Sequence, residues 1–160
     1  MKLFLKRESA DGEVGFSVMS ESAVQLYTVL VHTEKTKQRI RIIDGQGNTV
    51  SDIVRKELVL QYFTVRCCGR IFVLVPYNNE CFMFMIYGST YRFAGDLSSG
   101  CFSLIDVDKS PVMTQKKCWS KFGDGFELKI YDEEQTPFAI SCALCAAMYL
   151  LANEADPIPL

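Results

Sequence analysis

Short β-type runs, in which apolar and polar residues tend to alternate, fill most of the chain, and turn residues cut them at close intervals. Period-two alternation marks a strand with one buried face. Such runs lie at Phe16–Met19, Val24–Val31, Arg39–Ile43 and Thr49–Lys56. Others follow at Leu58–Cys68, Arg70–Val75, Cys81–Tyr87, Tyr91–Gly95, Cys101–Asp106, Val112–Trp119 and Phe126–Tyr131. Asp44-Gly45-Gln46-Gly47-Asn48, Gly69, Pro76-Tyr77-Asn78-Asn79, Gly88 and Gly123-Asp124-Gly125 punctuate them, supplying positive φ or fixed turns. Many short strands at regular spacing predict a barrel or a sandwich.

The C-terminal part has a different pattern. Phe138 to Ala152 is nearly all apolar. Thr136-Pro137 predicts its start, with Thr136 as N-cap and proline at the first helical position. Glu133 and Glu134 lie where the helix dipole favours negative charge. A helix apolar all round must be surrounded by protein or by lipid. Fifteen residues rise about 22 Å, short of the roughly 30 Å hydrocarbon core. The flanking residues Glu154 and Asp156 are acidic, so a buried core helix is expected. Ala139, Cys142, Ala143, Cys145, Ala146 and Ala147 keep it slim enough for a small closed barrel.

The chain also carries an internal repeat. Ile42-Ile43-Asp44 matches Leu104-Ile105-Asp106, and Val50 matches Val112, sixty-two residues later. With one residue inserted, Phe63-Thr64-Val65-Arg66 matches Phe126-Glu127-Leu128-Lys129. Each half reads as strand, acidic turn, strand, turn, strand, which predicts a sheet of two similar meanders.

The ordered set of motifs resembles the LURP-one-related family of the tubby C-terminal-like group, relatives of the phospholipid scramblases. The motifs are a strand ending in Ile43-Asp44, a glycine-rich turn, a Val50-started strand ending in Arg55-Lys56, a second copy, and one apolar C-terminal helix. Leu3-Phe4-Leu5-Lys6-Arg7 resembles the family's opening. The resemblance covers nearly the whole chain. It implies one domain over residues 1–160, a closed antiparallel β-barrel of about a dozen strands around a central hydrophobic helix. For function it implies a binding module for phosphoinositide or another anionic phospholipid. It assigns no individual site residue.

Composition narrows the partners. The chain has 160 residues, 49% of them apolar, and a net charge of −2, enough for one real core. That charge argues against a nucleic-acid partner, so any anion site must be a local patch. The apolar run near the N-terminus is three residues long, too short for a signal segment. Seven cysteines, an odd number, sit mostly in apolar runs and read as buried free thiols in a reducing compartment, with Cys67-Cys68 or Cys142/Cys145 as a redox or metal pair the alternative. The expected location is cytoplasmic, peripheral at a membrane if lipid is the ligand.

No motif predicts catalysis or a cofactor. There is no Gly-x-Ser-x-Gly elbow, no phosphate-binding glycine loop, and a single histidine, His32. Asp44 to Arg55 lacks the glycine and glutamate of a calcium loop. Four zinc ligands at suitable spacing are missing. A pocket that places His32 beside an exposed cysteine or a carboxylate would be the enzymatic alternative.

Two surface features remain. Lys35, Lys37, Arg39 and Arg41 fall at alternate positions, which in an extended run would align all four on one face. Arg55 and Lys56 lie on the next run. Lys35, Lys37, Arg39, Arg41 and Arg55 are therefore the candidate anion- or lipid-binding residues. Lys116, Lys117 and Lys121 form a looser cluster around Trp119. Cys81-Phe82-Met83-Phe84-Met85-Ile86-Tyr87 is apolar on both faces, so its outer face needs cover. The N-terminal segment or a loop is the first expected cover, and a second copy of the chain the next.

Overall fold

A computed structural model describes residues 1–8, 14–57, 61–77, 82–96, 99–120 and 123–155. The twelve strands are β1 (Lys2–Arg7), β2 (Val14–Ser20), β3 (Gln25–Thr33), β4 (Lys37–Asp44), β5 (Thr49–Glu57), β6 (Gln61–Cys67), β7 (Arg70–Tyr77), β8 (Phe82–Tyr87), β9 (Arg92–Asp96), β10 (Cys101–Ile105), β11 (Pro111–Ser120) and β12 (Gly123–Ile130). Each pairs antiparallel with its chain neighbours, and β1 pairs β12, so the sheet closes into a barrel. Closure removes both exposed edges. The closing strand, residues 2–7, was not among the predicted strands. Its apolar triplet hides the alternation, because Leu3 and Leu5 point inward while Phe4 between them faces out.

Alternation then decides what fills the interior. Leu3, Leu5, Val18, Val29, Ile40, Ile42, Ile53, Phe63, Val65, Leu74, Phe93 and Leu104 are fully buried. They surround α1 (Thr136–Ala155), which enters beside the β6–β7 turn and is buried from Phe138 to Ala147. Phe138 lies 4.4 Å from the Phe72 ring and 5.9 Å from Tyr91. Further along the helix, Tyr149 meets the edge of Phe84 at 5.9 Å. Each such side chain contributes about 1.5–3 kcal/mol on burial. Among the described residues no helix is long and apolar enough to cross a membrane.

The helix start differs from the expected cap. A 3-10 turn over Glu133–Gln135 precedes α1, and Asp132 caps it by accepting the Glu134 N–H at 3.2 Å. Thr136 is already helical and donates its hydroxyl to the Glu133 carbonyl at 2.6 Å. An aspartate one turn earlier satisfies the first free N–H groups, so Thr136 is not needed for it.

The repeat is visible atom by atom. Asp44 Oδ1 accepts the N–H groups of Gln46 and Asn48, and Asp106 Oδ1 accepts those of Asp108 and Ser110. Positive φ falls at Gly47 and again at Lys109. The β4–β5 register shifts between Ile42 and Ile43, and the β10–β11 register between Leu104 and Ile105. In each turn one carboxylate oxygen thus holds two of the turn's own backbone N–H groups.

Candidate functional site

Ladder register places the basic residues. On the outer wall one row runs Leu30, Arg41, Asp52, Arg66, Ile71 across β3 to β7. The next runs His32, Arg39, Val54, Thr64, Val73, Tyr87 across β3 to β8. Arg39 and Arg41 share this outer face, as their alternation predicts. Arg39 forms a two-pronged pair with Asp52, at 3.2 and 2.7 Å. That hydrogen bond and the Asp52 charge raise the Arg39 pKa above its ordinary value. Arg41 and Arg66 flank the same carboxylate, and among the described residues neither has an ion pair. Three arginines thus crowd one aspartate. Arg41, Arg39, His32, Leu30 and Val31 line a depression of about 240 Å³. On the other side of Asp52, a depression of about 460 Å³ is lined by Arg66, Arg70, Cys67, Cys68 and Ile71, among others.

The other predicted residues are not brought to this cluster. Lys35 lies in the β3–β4 turn, before β4 begins, and so does not share the strand alternation. Lys37 starts β4 on the same outer face as Arg39, with Glu34 at 3.9 Å. Arg55 points the other way. It shares the inner face of β5 with Ser51 and Ile53 and is 8% exposed. Its guanidinium donates to Gln38 Oε1 at 3.1 Å and to the Gln61 amide oxygen at 2.7 Å, and it stands over the Phe63 ring at 6.0 Å. Glu57 is 3.7 Å away at the barrel mouth. Arg55 therefore closes the interior with its donors occupied. Arg66 was missed because its role needs the β5–β6 register, which places it opposite Asp52. Of the second lysine cluster, Lys116 pairs with Glu127 at 3.5 Å, while Lys121 lies outside the described residues.

Beside the arginines the wall turns apolar. Ile71, Val73, Val75 and Tyr77 point outward from β7, and Met85 and Tyr87 from β8. Ile71 is 56% exposed, Tyr87 57%, Tyr77 49% and Met85 44%. The expected cover by the N-terminal segment is overturned, since β1 sits between β12 and β2. Among the described residues nothing covers the stripe; Cys81 lies outside them. Arg66 faces Ile71 across the β6–β7 ladder, so the charged and apolar zones are continuous.

Among the described residues no thiol pairs with His32. His32 is on the outer face with Glu34 at 3.9 Å, and no cysteine lines its depression. Burial pushes the Cys67 thiol up to about 12, with the neighbouring Cys68 adding to the shift. Burial likewise drives Cys142 and Cys145 far up. These three stay protonated at neutral pH and are poor nucleophiles. Among the described residues no group of three potential ligands could hold a metal ion.

No protein-family model and no curated protein matches the sequence. Among solved structures, the chain is similar in fold to the X-ray structure of the Arabidopsis thaliana protein AT5G01750. The match covers 98% of this chain and 91% of that one, at 13% identity and a TM-score of 0.56. At that identity the likeness shows the fold.

Proposed function

We propose that this chain is a non-enzymatic binding module that seats on an anionic phospholipid surface through the outer wall of β4 to β8. The tubby-like and LURP-one-related resemblance favours the same ligand class, and the fold shared with the Arabidopsis protein over nearly the full chain supports that resemblance. One observation carries the reading: Arg39, Arg41 and Arg66 form a cationic cluster that runs directly into a stripe of Ile71, Val73, Val75, Tyr77, Met85 and Tyr87, which nothing among the described residues covers. Guanidinium groups match phosphate oxygens in two-pronged geometry. Apolar and aromatic side chains beside them enter the headgroup boundary. Each cation near an anionic leaflet contributes about 1 kcal/mol. Three arginines offset by one aspartate therefore supply only about 2 kcal/mol, and the apolar side chains must provide the rest. This combination gives reversible, salt-sensitive, peripheral attachment.

Co-sedimentation with neutral, phosphatidylserine-containing and phosphoinositide-doped vesicles tests it, with Arg39→Glu/Arg41→Glu alongside. Selective binding to the anionic vesicles, weakened by salt and lost in the double variant, is expected. Absence of binding to every vesicle at low salt would overturn the reading. The exposed stripe also favours a second reading, a soluble interaction domain that pairs with a second copy through β7 and β8. A concentration-dependent dimer that Tyr87→Lys abolishes, without any preference for lipid, would establish that alternative.

A further inference from the structure

The β6–β7 hairpin turns in two residues, Cys68 and Gly69, with Cys67 paired directly to Arg70. Both turn residues have positive φ, +55° at Cys68 and +69° at Gly69. That is the type I′ geometry, for which Asn-Gly is the favoured pair. A cysteine in the left-handed region is a departure from turn chemistry, and such departures cluster where a side chain has a task. The preceding residue is also a cysteine. Cys67 is buried on the inner face of β6, one residue before Cys68. Cys68 is exposed and lines the depression of about 460 Å³ together with Arg66 and Arg70. One thiol is thus open to solvent and the other is held beside it, shielded.

We propose that Cys67 and Cys68 form a peroxide-sensing thiol pair that closes reversibly to a vicinal disulfide. The oxidant is a hydroperoxide. Cys68 Sγ attacks its terminal oxygen; an S–O bond forms, the O–O bond breaks, and the departing oxygen takes the thiol proton to leave as an alcohol or water. Cys68 is then a sulfenic acid. Cys67 Sγ is an unactivated thiol, but its position one residue away offsets that: it displaces the sulfenic oxygen, the S–S bond forms, the S–O bond breaks, and the oxygen leaves as water with the Cys67 proton. Two thiols are oxidised while one peroxide is reduced. Adjacent Cα atoms lie about 3.8 Å apart, shorter than the usual disulfide span, so the bond is strained and easily reduced again. Closure draws the Cys67 sulfur out of the interior and reshapes the turn between Arg66 and Arg70. The inference is independent of the membrane reading, because it concerns the chemistry of the pair alone.

Trypsin cuts after Arg66 and Arg70 and releases Cys67-Cys68-Gly69-Arg70 as one peptide. The intact protein is treated with stoichiometric hydrogen peroxide, the remaining thiols are blocked, and this peptide is weighed. Loss of two hydrogens, restored by dithiothreitol, is expected. In Cys67→Ala, which removes the resolving thiol, Cys68 is expected to accumulate as a dimedone-trappable sulfenic acid. Cys68→Asn, which suits the turn and folds, is expected to leave Cys67 unmodified. The proposal is overturned if the wild-type peptide carries added oxygen or a blocking group on both sulfurs. It is also overturned if Cys68→Asn leaves the oxidation of Cys67 unchanged.

Discussion

Two serines tie the helix to the wall, and their geometry fixes which way the protons point. Ser141 Oγ donates to the Pro137 carbonyl at 2.7 Å and lies 2.7 Å from Ser51 Oγ. A hydroxyl has one proton, so Ser51 must be the donor to Ser141. Both residues are essentially without solvent exposure. Ser141→Ala therefore leaves the Ser51 hydroxyl as a buried donor without its partner, at a cost of about 1–3 kcal/mol. Cys67 sits opposite Ser51 across β5–β6, but sulfur is a weak acceptor and compensates little. Ser51→Ala removes only one bond, since Ser141 keeps Pro137, and should cost about 0.5–1.5 kcal/mol. Replacing both leaves nothing unpaired on the wall side, so the double variant should be less damaged than the sum by about 1 kcal/mol. Urea unfolding of the four proteins reads this directly, with each kcal/mol also moving Tm by about 2–4 °C for a domain of this size. Additivity within about 0.3 kcal/mol would refute the proton assignment and the claim that this pair registers the helix in the barrel.

Other consequences are equally accessible. Arg55→Met should cost about 1–3 kcal/mol of stability, because it strands the amide oxygens of Gln38 and Gln61, yet leave vesicle binding intact; sedimentation and denaturation on the same sample separate the two effects. Cys68→Asn should raise stability by about 1 kcal/mol under reducing conditions, since asparagine tolerates left-handed backbone better than cysteine, and a matching shift in the urea midpoint checks it. Gly125→Ala should destabilise by about 2 kcal/mol or more, because its Cβ would lie 2.1 Å from the Leu5 carbonyl oxygen at the β1–β12 seam; a far-UV thermal melt shows it. Stability should also fall at alkaline pH. Unfolded thiols ionise near pH 8.5 while Cys67 holds its proton to about 12 and Cys142 and Cys145 hold theirs as well, so the unfolded state binds fewer protons. The loss begins as pH rises through the unfolded value, at about 1.4 kcal/mol per pH unit for each thiol, and Cys142→Ala should flatten the slope.

Local pattern carried the architecture further than it carried the site. Strand alternation, the Asp44 and Asp106 turns and the apolar run from Phe138 are properties of neighbouring residues, and a barrel or sandwich with a buried helix follows from them; the closed barrel of about a dozen strands was what the family resemblance implied. The N-terminal strand escaped because Phe4 is apolar and faces outward, which erases the alternation that Leu3 and Leu5 would otherwise show. Thr136 looked like a cap because Pro137 follows it; Asp132 does that work one turn earlier. For the surface, alternation correctly aligned Arg39 with Arg41. It could not place Lys35 in a turn, nor decide the side on which Arg55 lies relative to β4. The Gln38–Arg55 pairing across the ladder, displaced by the irregularity at Ile42 and Ile43, turns Arg55 inward. Arg66 and the stripe beyond it belong to strands β6 to β8, and only the register of three successive hairpins brings them beside Arg41.

If one face of the barrel seats on the membrane, side chains on that face must differ from the rest in bilayer depth. A nitroxide placed at Tyr87, and separately at Lys116 on β11, would be compared for relaxation by oxygen and by a water-soluble nickel complex on anionic vesicles. The Tyr87 label is expected to gain oxygen accessibility and lose nickel accessibility, while the Lys116 label stays aqueous. Equal aqueous exposure of both labels on vesicles that the protein demonstrably binds would contradict it.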